Sequence, residues 1–289
     1  DDETELIRQR YENMDDGYGA RIENAFKVLR ENAKHVFNME NLKYYSPKFL
    51  SILKKLKSQE YIGSHLIYSQ FRTLEGVGIL KEILDYNGFA QFKISDITGT
   101  WRVDIKDEDR GKPMYALYTG TESREEKETI RNIFNSDWGK LKAPLVEDLK
   151  KINANNFLGE VIKTIMITSS GAEGITLKNV QYVHIVEPYW HPVRLEQVIG
   201  RAVRICSHQD LPEEYKEVNV YLYLMTFSDK QLNGDPNGKT KKEREPKVSI
   251  QLKIKDLSKT DKKTPLTTDE SLYEISNIKE EINKNILRA

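Results

Sequence analysis

A chain of 289 residues, 38% of them hydrophobic, holds enough apolar material to bury one large core or two small ones. Its 45 basic and 45 acidic residues cancel, so the zero net charge neither establishes nor excludes a local basic surface. The single cysteine, Cys206, excludes an internal disulfide and any zinc site built on cysteines, no apolar run reaches the roughly 20 residues of a membrane span, and the acidic opening DDETELIRQR is not a signal peptide. The expectation is an intracellular protein with no membrane partner. Both ends fall in mid-helical pattern, so the chain reads as a piece of a longer one.

Residues 1–45 are charged and helical in pattern and read as a connecting segment. Ser46 as N-cap and Pro47 at the first helical position then open an amphipathic helix with Phe49, Leu50, Ile52, Leu53 and Leu56 along one face. HLIYSQF (65–71) is a short β-prone run, and LEGVGILKEILDYNGF returns to helical period and closes at Gly88. MYALYTG (114–120) predicts a strand and REEKETIRNIF (124–134) a helix. TIMITSSGAEG passes from a strand into a glycine loop, YVHIVEPYW from a strand into a loop, VRLEQVIGRAVRI is helical, and VNVYLYLMTF (218–227) is a last apolar β-run. Strands this apolar, alternating with helices, imply a parallel sheet covered on both faces, with ligands gathering at the strands' carboxyl ends. The polar loops YSQF, YTGT, TSSGAEG and EPYWH each follow a strand, which places them on that edge.

Two stretches interrupt the alternation: residues 95–113, expected as a hairpin or loop, and 135–156, expected as helical. Residues 228–263 carry eleven basic and six acidic side chains and few core residues, and are expected to be a basic flexible linker. Within 264–289, Thr267 and Glu270 stand in capping-box spacing and Leu272, Ile275, Ile278 and Ile282 share a face, predicting a C-terminal helix.

On a helix turning about 100° per residue, Arg194, Gln197, Arg201 and Arg204 fall on one side of VRLEQVIGRAVRI. This stripe holds three arginines and no acid. A solvated face ordinarily mixes signs, so an anion is the simplest complement, and arginine's planar fork suits phosphate. Gly200 removes a side chain where a ligand or facing domain approaches. Taken alone, an exposed arginine-rich face explains the stripe equally well. TSSGAEGITL sets Ser169, Ser170, Gly171 and Gly174 at a strand's end, where hydroxyls and N–H groups hold phosphate oxygens. By composition it is an ordinary turn; its position, with Gly174 lying 23 residues before Gln197, makes it informative.

The order LIYSQF, SSGAEGITL, VEPYWHP, EQVIGRAVR resembles the second RecA-like domain of superfamily 2 helicases and translocases, in the Swi/Snf-like branch. Gln197, Gly200, Arg201 and Arg204 match the family's Q-x-x-G-R-x-x-R motif VI, SSGAEGITL matches motif V, LIYSQF motif IV, and YTGTESREEKETIRNIFN the segment between IV and V. The resemblance covers residues 46–227. The inserts, RICSHQDLP, VNVYLYL and TTDESLYEISNIKEEIN are similar to the helicases and transcription-factor ATPases of large cytoplasmic DNA viruses. Cys206 and Ser207 depart from the glycine and glutamine usual in chromatin remodellers.

The resemblance implies a three-layer α/β RecA-like fold of the P-loop NTPase type, a parallel sheet flanked by helices, with inserts and terminal helices. It implies ATP with Mg2+ clamped between this domain and an N-terminal RecA-like domain of the same polypeptide, which supplies the phosphate loop and metal carboxylates; no metal site is expected in this chain. Arg201 and Arg204 would be arginine fingers at the γ-phosphate, with Gln197 orienting the attacking water or a finger. Gly171, Glu173, Gly174 and Gly200 would line the nucleotide, and Ser69, Gln70, Thr119, Ser169 and Ser170 the nucleic-acid backbone. The partners implied are DNA and viral transcription machinery, in the host cytoplasm or the virion.

A degenerate motor domain kept as a binding module, or an RNA helicase, would share the same motifs. GDPNGKT (234–240) has three residues between its glycines where a Walker A loop needs four, and DEDR (107–110) lies in the first insert. The chain therefore carries half an ATPase site, and hydrolysis by it alone is not expected. Trp101 and Trp138 read as anchors, and Trp190 stands on the functional edge.

Overall fold

The computed structural model describes residues 2–120, 122–169, 174–245 and 266–288. Helices α1 (Asp2–Glu31), α2 (Ala33–Val36) and α3 (Met39–Tyr45) lead into α4 (Pro47–Lys57). The Ser46 hydroxyl accepts the Phe49 N–H at 3.5 Å as the expected cap, and the apolar stripe of α4 from Phe49 to Leu56 is buried. Strand β1 (Ser64–Ser69), helix α5 (Val77–Tyr86) and strand β2 (Ala90–Gln91) follow. The first insert is the antiparallel hairpin of β3 (Ile94–Ile97) and β4 (Thr100–Val103). Then come β5 (Met114–Tyr118), α6 (Arg124–Phe134), α7 (Ala143–Ile152) in the second insert, β6 (Thr164–Thr168), β7 (Val180–Ile185), α8 (Pro192–Ala202) and β8 (Asn219–Leu222). Helices α9 (Asp229–Asn233), α10 (Lys241–Arg244) and α11 (Thr268–Arg288) close the described chain.

The main sheet has six strands in the order β2-β5-β6-β1-β7-β8, and the pairs β2–β5, β5–β6 and β6–β1 are parallel. From β1 the chain crosses by α5 to β2 at one edge; from β5 it returns by α6 and α7 toward β6. These crossovers run in opposite directions along the sheet, and right-handed connections put their helices on opposite faces. Both faces being covered, the central strands carry no alternation: all six residues of β1 and all five of β6 are buried. This is the three-layer RecA-like architecture expected. The register sets Ser69 opposite Thr168 and Tyr118 opposite Ile167, so three parallel strands end side by side at their carboxyl edge.

The chain divides into two compact units, residues 1–184 with 200–221, and residues 185–199 with 222–289. In the first, the two inserts are joined: Arg102 of β4 donates twice to Asp148 of α7, at 2.6 and 2.8 Å, and holds that carboxyl well below the usual carboxylate range. A ring column runs through the same unit. His65 stacks between Tyr182 and His184, the imidazole nitrogens His65 Nδ1 and His184 Nε2 are 3.0 Å apart, and Tyr221 stacks on His184. Burial holds His65 well below the ordinary histidine range and lowers His184 to about 3, with Lys55 adding to the latter.

Three local expectations are revised, and one strand is added. The β-run expected over 218–227 is a strand only over Asn219–Leu222, with one more bond from the Tyr223 N–H to the Ile185 carbonyl at 3.0 Å. Beyond it, in the second unit, the Met225 N–H donates to Asp269 at 2.8 Å and the Thr267 hydroxyl to the Met225 carbonyl, so helix-cap groups of α11 replace a ladder. Helix α8 stops at Ala202, short of Arg204 and Ile205. There the Ser207 hydroxyl donates to the Ala202 carbonyl at 3.1 Å, and Cys206 takes a left-handed φ of 62°. Strand β2 carries too few residues for periodicity to register. The linker expected over 228–263 is helical at 229–233 and 241–244, because Ser228 with Gln231 and Thr240 with Glu243 form capping boxes. Its residues from 246 on lie outside the described residues. GDPNGKT sits between these two helices with no strand preceding it, unlike a phosphate loop.

Candidate functional site

The carboxyl edge of the first unit is built by loops folded onto strand ends. Ser69, buried at the end of β1, accepts the Phe71 N–H at 3.1 Å and stands 3.2 Å from the Phe71 carbonyl, which in turn accepts the Val77 N–H at 3.0 Å. Gly76 makes this fold-back possible: a Cβ there would lie 2.0 Å from the Phe71 oxygen and 2.4 Å from Ser69 Oγ. Gln70 follows, half-buried. Thr119, buried just past β5, donates its N–H and its hydroxyl to the two oxygens of Glu122, both at 2.8 Å. Ser69 and Thr119 are thus held by their own loops, and Glu122, a carboxylate that no motif singles out, stands beside Thr119.

In motif V, Ser169 is half-buried and Gly174 is exposed with φ 72°, a left-handed conformation suited to glycine. Ser170, Gly171 and Glu173 lie outside the described residues. The segment after the loop is pinned by Asn135 at the end of α6, whose amide donates to the Thr176 carbonyl and accepts the Lys178 N–H, both at 2.9 Å. Asn135 is not legible from the sequence as a site residue because its partners are more than 40 positions away. The Leu177 N–H bonds the Arg201 carbonyl at 3.0 Å, tying this segment to motif VI.

The two proposed fingers differ. Arg201 is half-buried, and its Nε is buried with no hydrogen-bond partner among the described residues. A desolvated guanidinium N–H with nothing to donate to is costly, by about 1–3 kcal/mol. Arg204 is exposed, and its Nε donates to the Gly200 carbonyl at 2.9 Å while a terminal nitrogen donates to Thr176 Oγ1. Ser207 fixes this turn, its hydroxyl standing 3.2 Å from the Arg204 nitrogen. A Cβ at Gly200 would meet nothing within 4 Å, so no contact with the described residues demands a glycine there. The donor set suits a nucleotide phosphate. Among the described residues no three His, Cys, Asp or Glu side chains gather as a metal cluster.

In the second unit, Gln197 is exposed on α8. The Arg194 guanidinium lies over the Tyr189 ring at 4.7 Å, and hydrogen bonds from Trp190 and Arg194 lower the Tyr189 hydroxyl's pKa. Trp190 is 45% exposed, with the Lys279 ammonium of α11 3.6 Å above its ring. Elsewhere Trp101 donates to Glu125 at 3.0 Å and Trp138 is buried on the Ile133 carbonyl, as anchors do.

Fold and edge together define a RecA-like α/β domain of the P-loop NTPase type. Residues 48–206 match the family described as the helicase conserved C-terminal domain, and the chain belongs to it. It is 32% identical over 194 residues to the putative ATP-dependent RNA helicase R563 of Acanthamoeba polyphaga mimivirus, a match covering 67% of this chain and 28% of that protein. It is 30% identical over 241 residues to R350 of the same virus, also named a putative ATP-dependent RNA helicase, across 83% of this chain and 25% of that one. To the termination factor NPH-I homolog of African swine fever virus it is 31% identical over 215 residues, covering 67% of this chain and 28% of the relative. The chain thus spans little more than a quarter of the length of these relatives. No helix among the described residues is long and apolar enough to cross a membrane.

Proposed function

We propose that this chain is the second motor domain of a nucleic-acid-dependent ATPase that translocates on DNA, with Arg201 as its principal arginine finger. The buried Nε of Arg201, which has no hydrogen-bond partner among the described residues, carries this reading. ATP, held with Mg2+ mainly by a first RecA-like domain elsewhere in the polypeptide, supplies the γ-phosphoryl group. Arg201 presents charged N–H donors to its oxygens in a partly dry site, where such donors act most strongly on developing charge. Arg204 joins by leaving Thr176, its hold on the Gly200 carbonyl keeping it near. Gln197 orients water or a finger. Gly200 leaves room for the partner domain, and Gly174 with the loop residues Gly171 and Glu173 borders the nucleotide. Ser69, Gln70, Thr119, Ser169 and Ser170 face the nucleic-acid backbone. Thr119 does so as a donor once its hydroxyl turns from the Glu122 carboxylate that accepts it here.

DNA is the preferred track, in viral transcription, supported by the relative named as a termination factor. The relatives named RNA helicases favour RNA as a second reading. The test is ATP turnover by the complete protein with single-stranded DNA, duplex DNA and RNA. Stimulation by DNA over RNA is expected, and Arg201→Ala should lower stimulated turnover by about 10³ or more. Near-normal turnover in that variant would overturn the assignment; binding without turnover in the unaltered protein would make the domain a binding module.

A further inference from the structure

At the amino ends of the parallel strands, opposite the motif loops, lies a cavity of about 1170 Å³, lined among others by residues just preceding β2 and β6 and at the start of β5. This exceeds the roughly 300–1,000 Å³ usual for a ligand pocket. Leu56, Phe89, Met114 and Val161, all buried, form apolar wall, and the exposed Ile97 and Ile152 line it as well. Six cations line it against two acids, Asp148 and Glu160. Four of the six are ion-paired with neighbours: Arg102 and Lys151 share Asp148, Lys112 pairs with Asp109, and Arg110 with Asp107. Among the described residues Lys57 meets a neutral partner, the Asn87 carbonyl at 3.1 Å, and no acid.

Lys163 has no side-chain hydrogen-bond or ion-pair partner among the described residues, and it is half-buried. Its backbone is fixed, the N–H donating to the Met114 carbonyl at 2.9 Å and the carbonyl accepting the His65 N–H at 2.8 Å. Burial alone lowers its ammonium pKa. A half-buried cation without a counter-charge beside apolar wall is complementary to a ligand with one anionic head and an apolar body.

We propose that this cavity is a binding site for an amphiphilic organic anion, its acidic head on Lys163 and its apolar part against Leu56, Phe89, Met114 and Val161. The head is supplied by a free organic acid or by an acidic side chain flanked by apolar residues in a partner peptide. Such a site would exist whether or not the domain acts as a motor.

The 289-residue chain should be titrated with 8-anilinonaphthalene-1-sulfonate and with N-phenyl-1-naphthylamine, the same rings without the sulfonate, following fluorescence. Saturable sulfonate binding is expected, weakened about tenfold or more by Lys163→Met and retained by Lys163→Arg, with the neutral dye indifferent to both changes. Melting by circular dichroism verifies that the variants fold, and Lys163→Gln replaces Lys163→Met should the latter not. Displacement by decanoate assigns a free acid; displacement by acetyl-Leu-Glu-Phe-Leu-amide but not its glutamine counterpart assigns a peptide carboxylate. Sulfonate binding unchanged in Lys163→Met, equal affinity for both dyes, or displacement by neither competitor overturns the proposal.

Discussion

Replacing Arg201 by methionine should move stability and activity in opposite directions. Methionine keeps much of the apolar stem that arginine packs along its neighbours but removes the guanidinium, whose buried Nε has no partner. An unsatisfied buried donor costs about 1–3 kcal/mol, so relieving it should stabilise the chain by about 1 kcal/mol after the lost solvation of the exposed nitrogens is counted. For a chain of this size that corresponds to a rise in melting temperature of roughly 2–4 °C. In the complete protein the same change should lower nucleic-acid-stimulated ATP turnover by about 10³-fold or more, at least about 4 kcal/mol of lost transition-state stabilisation. Scanning calorimetry on the chain and a coupled ATPase assay on the complete protein measure the two effects. A clear fall in melting temperature would mean that Arg201 serves the fold, and unchanged turnover would remove it from the site.

Gly200→Ala should leave this chain as stable or up to about 1 kcal/mol more so, since the added methyl meets open space and alanine favours the helix. Reduced turnover in the complete protein, with a urea midpoint for the chain that is unchanged or raised, is the expected pair of results. Gly76→Ala should cost roughly 1–3 kcal/mol, because its Cβ would lie within 2.4 Å of Ser69 Oγ and closer still to the Phe71 oxygen; an unaltered urea midpoint would count against the fold-back loop. The buried His65–His184 pair should make stability depend on pH. Both pKa values are depressed in the fold, so the contribution is complete above the unfolded value of about 6.5 and is lost as pH falls below it. With His184 near 3, moving from pH 7 to pH 5 should cost roughly 2 kcal/mol from that residue alone. The double variant His65→Phe with His184→Phe should flatten this dependence in denaturant titrations, and a slope equal to the unaltered chain's would exclude the pair as its source.

Features carried by near neighbours along the chain are legible in the amino-acid order itself. The Ser46–Pro47 start, the Thr267–Glu270 cap and the helix over 124–134 have the bounds their residues predict, since caps and amphipathic stripes are short-range. The apolar strands likewise announce a sheet covered on both faces. Long-range partners produce the differences. Helix α8 ends early because Ser207 bonds the Ala202 carbonyl, and β8 ends early because α11 supplies Met225 with other partners.

The candidate site divides in the same way. The residue types and spacing of Gln197, Gly200, Arg201 and Arg204, with the glycine loop upstream of them, are in the chain's order, and they suffice to mark the helicase family to which the chain belongs. That order cannot distinguish the two arginines, because both are charged and stand three positions apart. Tertiary structure separates them: desolvation without a partner depends on what surrounds a side chain, and only the folded loops leave Arg201 Nε buried and, among the described residues, unbonded while giving Arg204 a carbonyl and a hydroxyl.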